Sequence, residues 1–223
     1  MKLFLAMDLR QNLVVHGKSG HRETYKPLDW GISPTAEPLD YIKNIKPRFV
    51  YIADLDRIEG TGSHDAIIRQ CAQEVECCFV DRGCRSPSDL LKGEHIVNII
   101  GTETGGRGLS HYHGGLLSID IKDGQVVPCG KEPVDILASA RHWDFDGCII
   151  LNVTAVGTGR GISRKMLKTL RTAYDGTLYY GGGVATMEDL EEISDSGFDG
   201  AIISTAIHRG TIPVEWIRGG SCC

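Results

Sequence analysis

The chain has 223 residues, 41% of them apolar and 24% charged, with a formal net charge of −5. That composition suits a globular protein with a sizeable core, and the acidic balance argues against a nucleic-acid-binding surface. No run approaches the ~18 apolar residues of a membrane helix. Asp8 interrupts the N-terminal apolar run too early for a signal peptide, so a cytoplasmic protein without membrane contact is expected.

Short β-branched runs alternate with helical patterns from end to end. A strand at 2–8 ends on Asp8 and runs through Val14-Val15-His16 into a long charged loop, Gly17–Trp30. Pro34 and Pro38 open a helix over 36–45, followed by a strand at 48–54 that ends near Asp54 and Asp56. Ser63 and Asp65 precede a helix over 66–73, and a strand at 75–80 leads into Asp81-Arg82-Gly83-Cys84-Arg85. Ser86-Pro87-Ser88-Asp89 starts a short helix, and a strand at 95–100 delivers Gly101-Thr102. The segment Thr102–Gly114 lacks apolar periodicity, which predicts that the helix after the fourth strand is reduced or missing. A strand at 115–121 carries Asp120, Pro133 opens a helix over 134–142, and a strand spans 147–152. Ser163 caps 164–173, a strand at 177–181 runs into Gly181-Gly182-Gly183, and Thr186 with Asp189 forms a capping box before 187–195. The last strand, 199–204, ends on Ser204-Thr205.

Eight strand–helix alternations in this length predict an α/β fold, a single (β/α)8 barrel over residues 1–223. A doubly wound open sheet is the alternative. Residues 5–15 (LAMDLRQNLVV) and 117–127 (LSIDIKDGQVV) share one pattern, an aspartate at the end of an apolar run, a polar turn and two valines. The repeat divides the barrel into two duplicated halves, about 1–112 and 113–223, which the open sheet would not explain. Both aspartates then sit at the C-terminal ends of strands, where barrel chemistry resides. Asp8 and Asp120 are therefore the candidate general acid and base. Asp54, Asp56, Asn152 and Thr154 read as supporting residues.

The strand–glycine–helix sequence at Gly181, Gly182 and Gly183 has the form of a phosphate cradle, with Ser204 and Thr205 beside it. Its first-half counterpart is Gly83 with Arg85, beside Gly101 and Thr102. Two cradles across one barrel mouth imply a small-molecule ligand with a phosphate at each end. His16 is a further candidate, as general acid or phosphate ligand. Arg107 and Arg160 fall in catalytic-face loops and suit phosphate, while His111 and His113 are too sparse for a metal site. The eight cysteines form no Cys-x-x-Cys pair and read as core or surface thiols, with Cys222 and Cys223 in a frayed tail.

These motifs resemble the histidine-biosynthesis barrels, the ribotide isomerase and its sister cyclase, along nearly the whole chain. The resemblance is carried by Met7-Asp8-Leu9, the run from Ile119 to Val127, Ala53-Asp54-Leu55-Asp56, Ile-Ile-Gly101-Thr102, and the Gly181–Val184 loop with Glu188-Asp189-Leu190. It implies an Amadori-type aldose-to-ketose rearrangement of a phosphorylated ribosylamine by Asp8 and Asp120, with no cofactor. It also implies one phosphate at Gly83, Arg85, Gly101 and Thr102, and the other at Gly181–Gly183, Ser204 and Thr205. Departures concentrate at the site. Leu151 replaces an assisting threonine, Val156-Gly157-Thr158 replaces Asp-Gly-Thr, Asp81-Arg82-Gly83 replaces a triple glycine, and His16 replaces a basic residue. In these departures the chain is most similar to the divergent isomerase- and cyclase-related proteins of methanogens and methylotrophs. A cyclase-type lyase, which would need an ammonia-delivering partner, and a non-catalytic phosphate-ligand-binding barrel are the alternative functions. A homo-oligomer is compatible with the sequence.

Overall fold

Eight parallel strands close into a barrel in the computed structural model, which describes residues 1–158 and 162–222. Arg160 and Cys223 lie outside the described residues, as does the side chain of Arg107. The strands are Lys2–Arg10, Phe49–Asp54, Cys77–Asp81, Ile96–Gly101, Leu116–Lys122, Gly147–Asn152, Leu178–Gly181 and Gly200–Ile203. Each pairs with the next, and the eighth returns to the first with Lys2 opposite Gly200. The eight expected strands are all present. Among the described residues no helix is long and apolar enough to cross a membrane.

The strands read as continuous apolar runs because both faces are covered. Leu3, Leu5, Met7 and Leu9 of the first strand face the surrounding helices, while Phe4 points into the barrel. Inside, Phe4 stacks on Phe79 with centroids 4.0 Å apart, and Tyr179 meets both rings edge-on. With Tyr51, Ile99, Leu116, Ile149 and Ile202 these rings plug the interior. Nothing polar can enter from below, so the functional face is confined to the strands' C-terminal ends.

The duplication is visible in the backbone. Each half's first strand turns back in a hairpin, Asp8 opposite Val15 and Ile121 opposite Val126. Both turns place two consecutive residues at positive φ, Gln11-Asn12 and Asp123-Gly124, as a two-residue hairpin loop with the strands' own twist requires. Asp54 and Asn152 occupy matching places with nearly equal φ and ψ, and each side chain caps the helical turn that follows it. Both are supporting residues, as expected.

Helices Pro38–Ile45, Asp65–Ala72, Pro133–Ala140, Arg164–Ala173 and Met187–Asp195 lie where the pattern places them. After the fourth strand only a single turn, Thr102–Gly105, and a 3-10 segment, Gly106–His111, remain. The expected short helix at Ser86 is likewise only a 3-10 turn, Pro87–Asp89, closed by its own capping box. Three short helices, Leu55–Glu59, Thr205–His208 and Val214–Gly219, are too brief to show apolar periodicity in the sequence.

The C-terminal tail corrects another expectation. Cys222 is buried, its N–H donates to the carbonyl of Met1, and Ser221 bridges to Lys2, so it is packed rather than frayed. Phe4 is 1% exposed at the centre of the ring cluster. Phe4→Ala is expected to cost about 3–5 kcal/mol of stability, measured as a lower urea midpoint with an unchanged slope.

Candidate active site

A cavity of roughly 1030 Å3, open solvent at its mouth included, sits on the C-terminal ends of the strands. That space accommodates a phosphorylated metabolite. Asp8 and Asp120 both line it, from the first and fifth strands on opposite sides of the barrel.

Their surroundings differ. Asp120 is 3% exposed, and its carboxylate accepts from Ser118 Oγ at 2.6 Å, the Glu103 N–H at 3.0 Å and Thr102 Oγ1 at 3.3 Å. The Asp8 carboxylate has no hydrogen-bond partner among the described residues and faces the backbone of Gly17. Burial pushes the Asp8 carboxyl up to about 6, partly offset by Arg22. Burial also pushes Asp120 up to about 6, against the hydrogen bonds from Ser118 and Glu103.

A third carboxylate completes the floor. Asp81 ends the third strand and accepts from the Gly83 N–H at 3.1 Å, with the Tyr51 hydroxyl 3.5 Å away. A Cβ on Gly101 would meet Asp120 Oδ2 at 2.9 Å and Asp81 Oδ2 at 3.7 Å, so both carboxylates crowd the same glycine. Burial and then the charge of Asp120 raise Asp81 to about 7. The sequence carried the signal, since Cys77-Cys78-Phe79-Val80-Asp81 is another apolar run ending in an aspartate. It went unused because the position reads as part of a glycine loop.

Two loops close over Asp8. The Ser19 N–H donates to Val156 O at 2.9 Å. A Cβ on Gly157, at φ +68°, would sit 2.2 Å from Gly17 O, and one on Gly17 would sit 2.5 Å from Asp8 Oδ2. Only glycines allow that crossing. The first loop also brings Arg22 and Tyr25 to the cavity. The Arg22 guanidinium holds the Glu103 carboxylate through two bonds of 2.8 and 2.7 Å, spanning the mouth from the first loop to the turn after the fourth strand. Sequence reading missed Arg22 and Glu103 because nothing local marks two residues 81 positions apart as partners.

The two expected cradles are placed differently. Gly182, Gly183, Val184, Ser204 and Thr205 line the cavity, and Gly181 ends the strand behind them against Leu151. No protein acceptor is found for the N–H groups of Gly183 and Val184 among the described residues. His16 also lines the cavity, 3.1 Å from Thr205 Oγ1, and burial with the charges of Arg209 and Lys18 lowers its pKa. Gly83, Arg85, Gly101 and Thr102 do not line the cavity. Arg85 donates to the carbonyls of Gly83 and Ile58, and Thr102 is taken up by Asp120. His113 pairs with Asp144 on the surface, and no group of three metal-ligand side chains occurs among the described residues.

A sequence profile described as histidine biosynthesis protein matches residues 2–213. The chain belongs to this family. It is 34% identical over 226 residues to an uncharacterized protein of Methanocaldococcus jannaschii, covering 97% of each. It is 28% identical over 239 residues to the 1-(5-phosphoribosyl)-5-((5-phosphoribosylamino)methylideneamino)imidazole-4-carboxamide isomerase of Thermus thermophilus, covering 96% of this chain and 97% of that one. The isomerase of the same name from Deinococcus radiodurans is 27% identical over 183 residues, 74% of this chain and 77% of that one. Relatives named as isomerases thus align along nearly the whole barrel.

Asp81 is protonated in the fold up to about pH 7 but only to its ordinary value of 3.8 when unfolded. The native state therefore binds the extra proton, and stability falls as pH rises between those values. Asp81→Asn, which cannot ionise, is expected to stabilise the protein at pH 8 by on the order of 1–3 kcal/mol. The gain should vanish at pH 4, read as thermal midpoints across that range.

Proposed function

We propose that this barrel is an aldose–ketose isomerase that carries out an Amadori-type rearrangement of a phosphorylated ribosylamine, with Asp8 and Asp120 as its acid/base pair. The observation that carries the reading is the pair itself, two carboxyls from opposite strands facing one cavity. Each is raised into the range where a carboxyl both gives and takes a proton near neutral pH. Relatives named as isomerases support the reaction class.

The environments divide the roles. Asp120, held by three donors, is suited to act as the carboxylate base. Asp8, with no donor, is suited to hold the proton and act as the acid. Asp8 protonates the ring oxygen as the C1–O bond breaks and C1=N forms. Asp120 removes the C2 proton, and its electron pair forms C1=C2 while the C=N pair returns to nitrogen. Protonation at C1 and loss of the C2 hydroxyl proton then leave a ketone at C2 and an amine at C1. No net proton is consumed. The loops that cross over Asp8 limit the access of water to the intermediates.

Gly182, Gly183, Ser204 and Thr205 hold a phosphate, through backbone N–H groups and hydroxyls, with Gly181 setting the turn. His16, kept neutral by burial and by Arg209 and Lys18, supports Thr205 and serves as a neutral donor there.

The test is turnover of a panel of aminoaldose phosphates, one and two phosphates long, followed as ketose product. Asp8→Asn and Asp120→Asn should each lower kcat by about 10²–10⁴-fold while ligand binding persists. With one group protonated and the other ionised, kcat/KM should peak near pH 6 and fall about tenfold per unit well to either side. Turnover of every panel member that survives both substitutions would sink the assignment.

A further inference from the structure

We infer that the cavity takes a monophosphate whose far end carries a protonated amine or similar cation, rather than a bisphosphate. This rests on the isomerase reading of the same cavity and names its substrate class. The inference comes from what has become of the first-half cradle. Three of its hydrogen-bond donors are already spent on the protein's own carboxylates. The Gly83 N–H is bound to Asp81, and the Glu103 N–H and Thr102 hydroxyl to Asp120.

The first-half arginines offer no replacement. Arg85 is tied to two backbone carbonyls, and Arg82 to the Asp89 carbonyl and the Asp65 carboxylate. Neither lines the cavity. What lines it there is Asp81, Asp120 and Glu103, with Arg22 the facing cation and already held by Glu103 through both nitrogens. A phosphate dianion at this end would meet three carboxyl groups and few open donors. Placing like charges together costs several kcal/mol. Asp8, unpartnered in the same cavity, adds a further acceptor.

The second-half end has the opposite character. The Gly183 and Val184 N–H groups lack protein acceptors among the described residues. Ser204 and Thr205 add hydroxyls, and the charges of Arg209 and Lys18 act with burial to lower His16. The cavity is therefore polarised, anion-seeking on one side and cation-seeking on the other. A ribosylamine monophosphate whose nitrogen substituent carries the cation matches both ends, its C1 nitrogen staying unprotonated to supply the electron pair for ring opening.

Binding discriminates the charge pattern without requiring turnover. Glucosamine 6-phosphate, glucose 6-phosphate and fructose 1,6-bisphosphate would be titrated calorimetrically at pH 7 into the wild-type protein, Glu103→Gln and Asp81→Asn. The amino sugar phosphate should bind about tenfold or more tightly than its neutral counterpart, and the bisphosphate most weakly. Glu103→Gln, at an exposed residue that frees Arg22, should erase most of that preference and strengthen bisphosphate binding. Asp81→Asn should weaken the amino sugar selectively. A bisphosphate that binds wild type as tightly as the amino sugar overturns the inference while leaving the isomerase reading intact. Failure of all three sugars and of inorganic phosphate to bind would overturn the phosphate cradle, and both readings with it.

Discussion

Three carboxyl groups gathered above an aromatic plug are the constraint around which this barrel is organised. Phe4, Phe79 and Tyr179 fill the interior, so the groups above them meet solvent only through the cavity mouth. An ionised carboxylate in such a place is costly unless donors surround it. Asp120 receives three, Asp81 receives one strong one from Gly83, and Asp8 receives none. That uneven supply gives three chemically identical groups different surroundings. It also explains why the loops above matter. Were Gly17 and Gly157 unable to approach one another, water would enter over Asp8 and restore its ordinary acidity.

The halves remain alike where the backbone does the work and differ where the ligand is met. Matching hairpins follow Asp8 and Asp120, and Asp54 and Asn152 cap matching turns. Asp54 gains a second role absent from Asn152, accepting from both the backbone N–H and the ring of His64. At the mouths the symmetry ends. The second half keeps its glycine loop open, with Gly182 at φ +99° packed so tightly on Asn152 O that a Cβ would lie 2.2 Å away. The first half has folded its donors back onto Asp81 and Asp120. A duplicated frame conserves strand ends, whereas a phosphate site depends on which N–H groups are left without a partner, and a single aspartate decides that.

Much of this was legible in the sequence. The strands, the repeat and the pair Asp8 and Asp120 follow from apolar runs that each deliver one acid, because a buried strand has little other way to be written. The five longer helices followed from caps and periodicity, while Leu55–Glu59 and Thr205–His208 are shorter than any period can reveal. The cavity's wall was less legible. Arg22 meets Glu103 only because the first loop folds across the barrel, and no local pattern encodes a contact over that separation. Asp81 was visible as a strand-end acid, yet its effect lies in consuming the Gly83 N–H, a fact of geometry rather than of composition. Arg85 shows the reverse, with a residue type suited to phosphate committed to two backbone carbonyls.

The apolar replacements fit the same logic. Leu151 and Val156 both line the cavity. Leu151 packs on Gly181, and the Val156 carbonyl holds the first loop through Ser19. Each presents an apolar side chain to the cavity and contributes to closing the site. Less solvation raises the proton affinity of Asp8 and strengthens every remaining charge–charge interaction inside. A drier cavity with one anion-seeking end discriminates more sharply between ligand charges than a wet one with two, since a mismatched charge finds no water to screen it. Under the proposed reading these side chains act together, narrowing the charge a ligand can bring while leaving Asp8 and Asp120 in place.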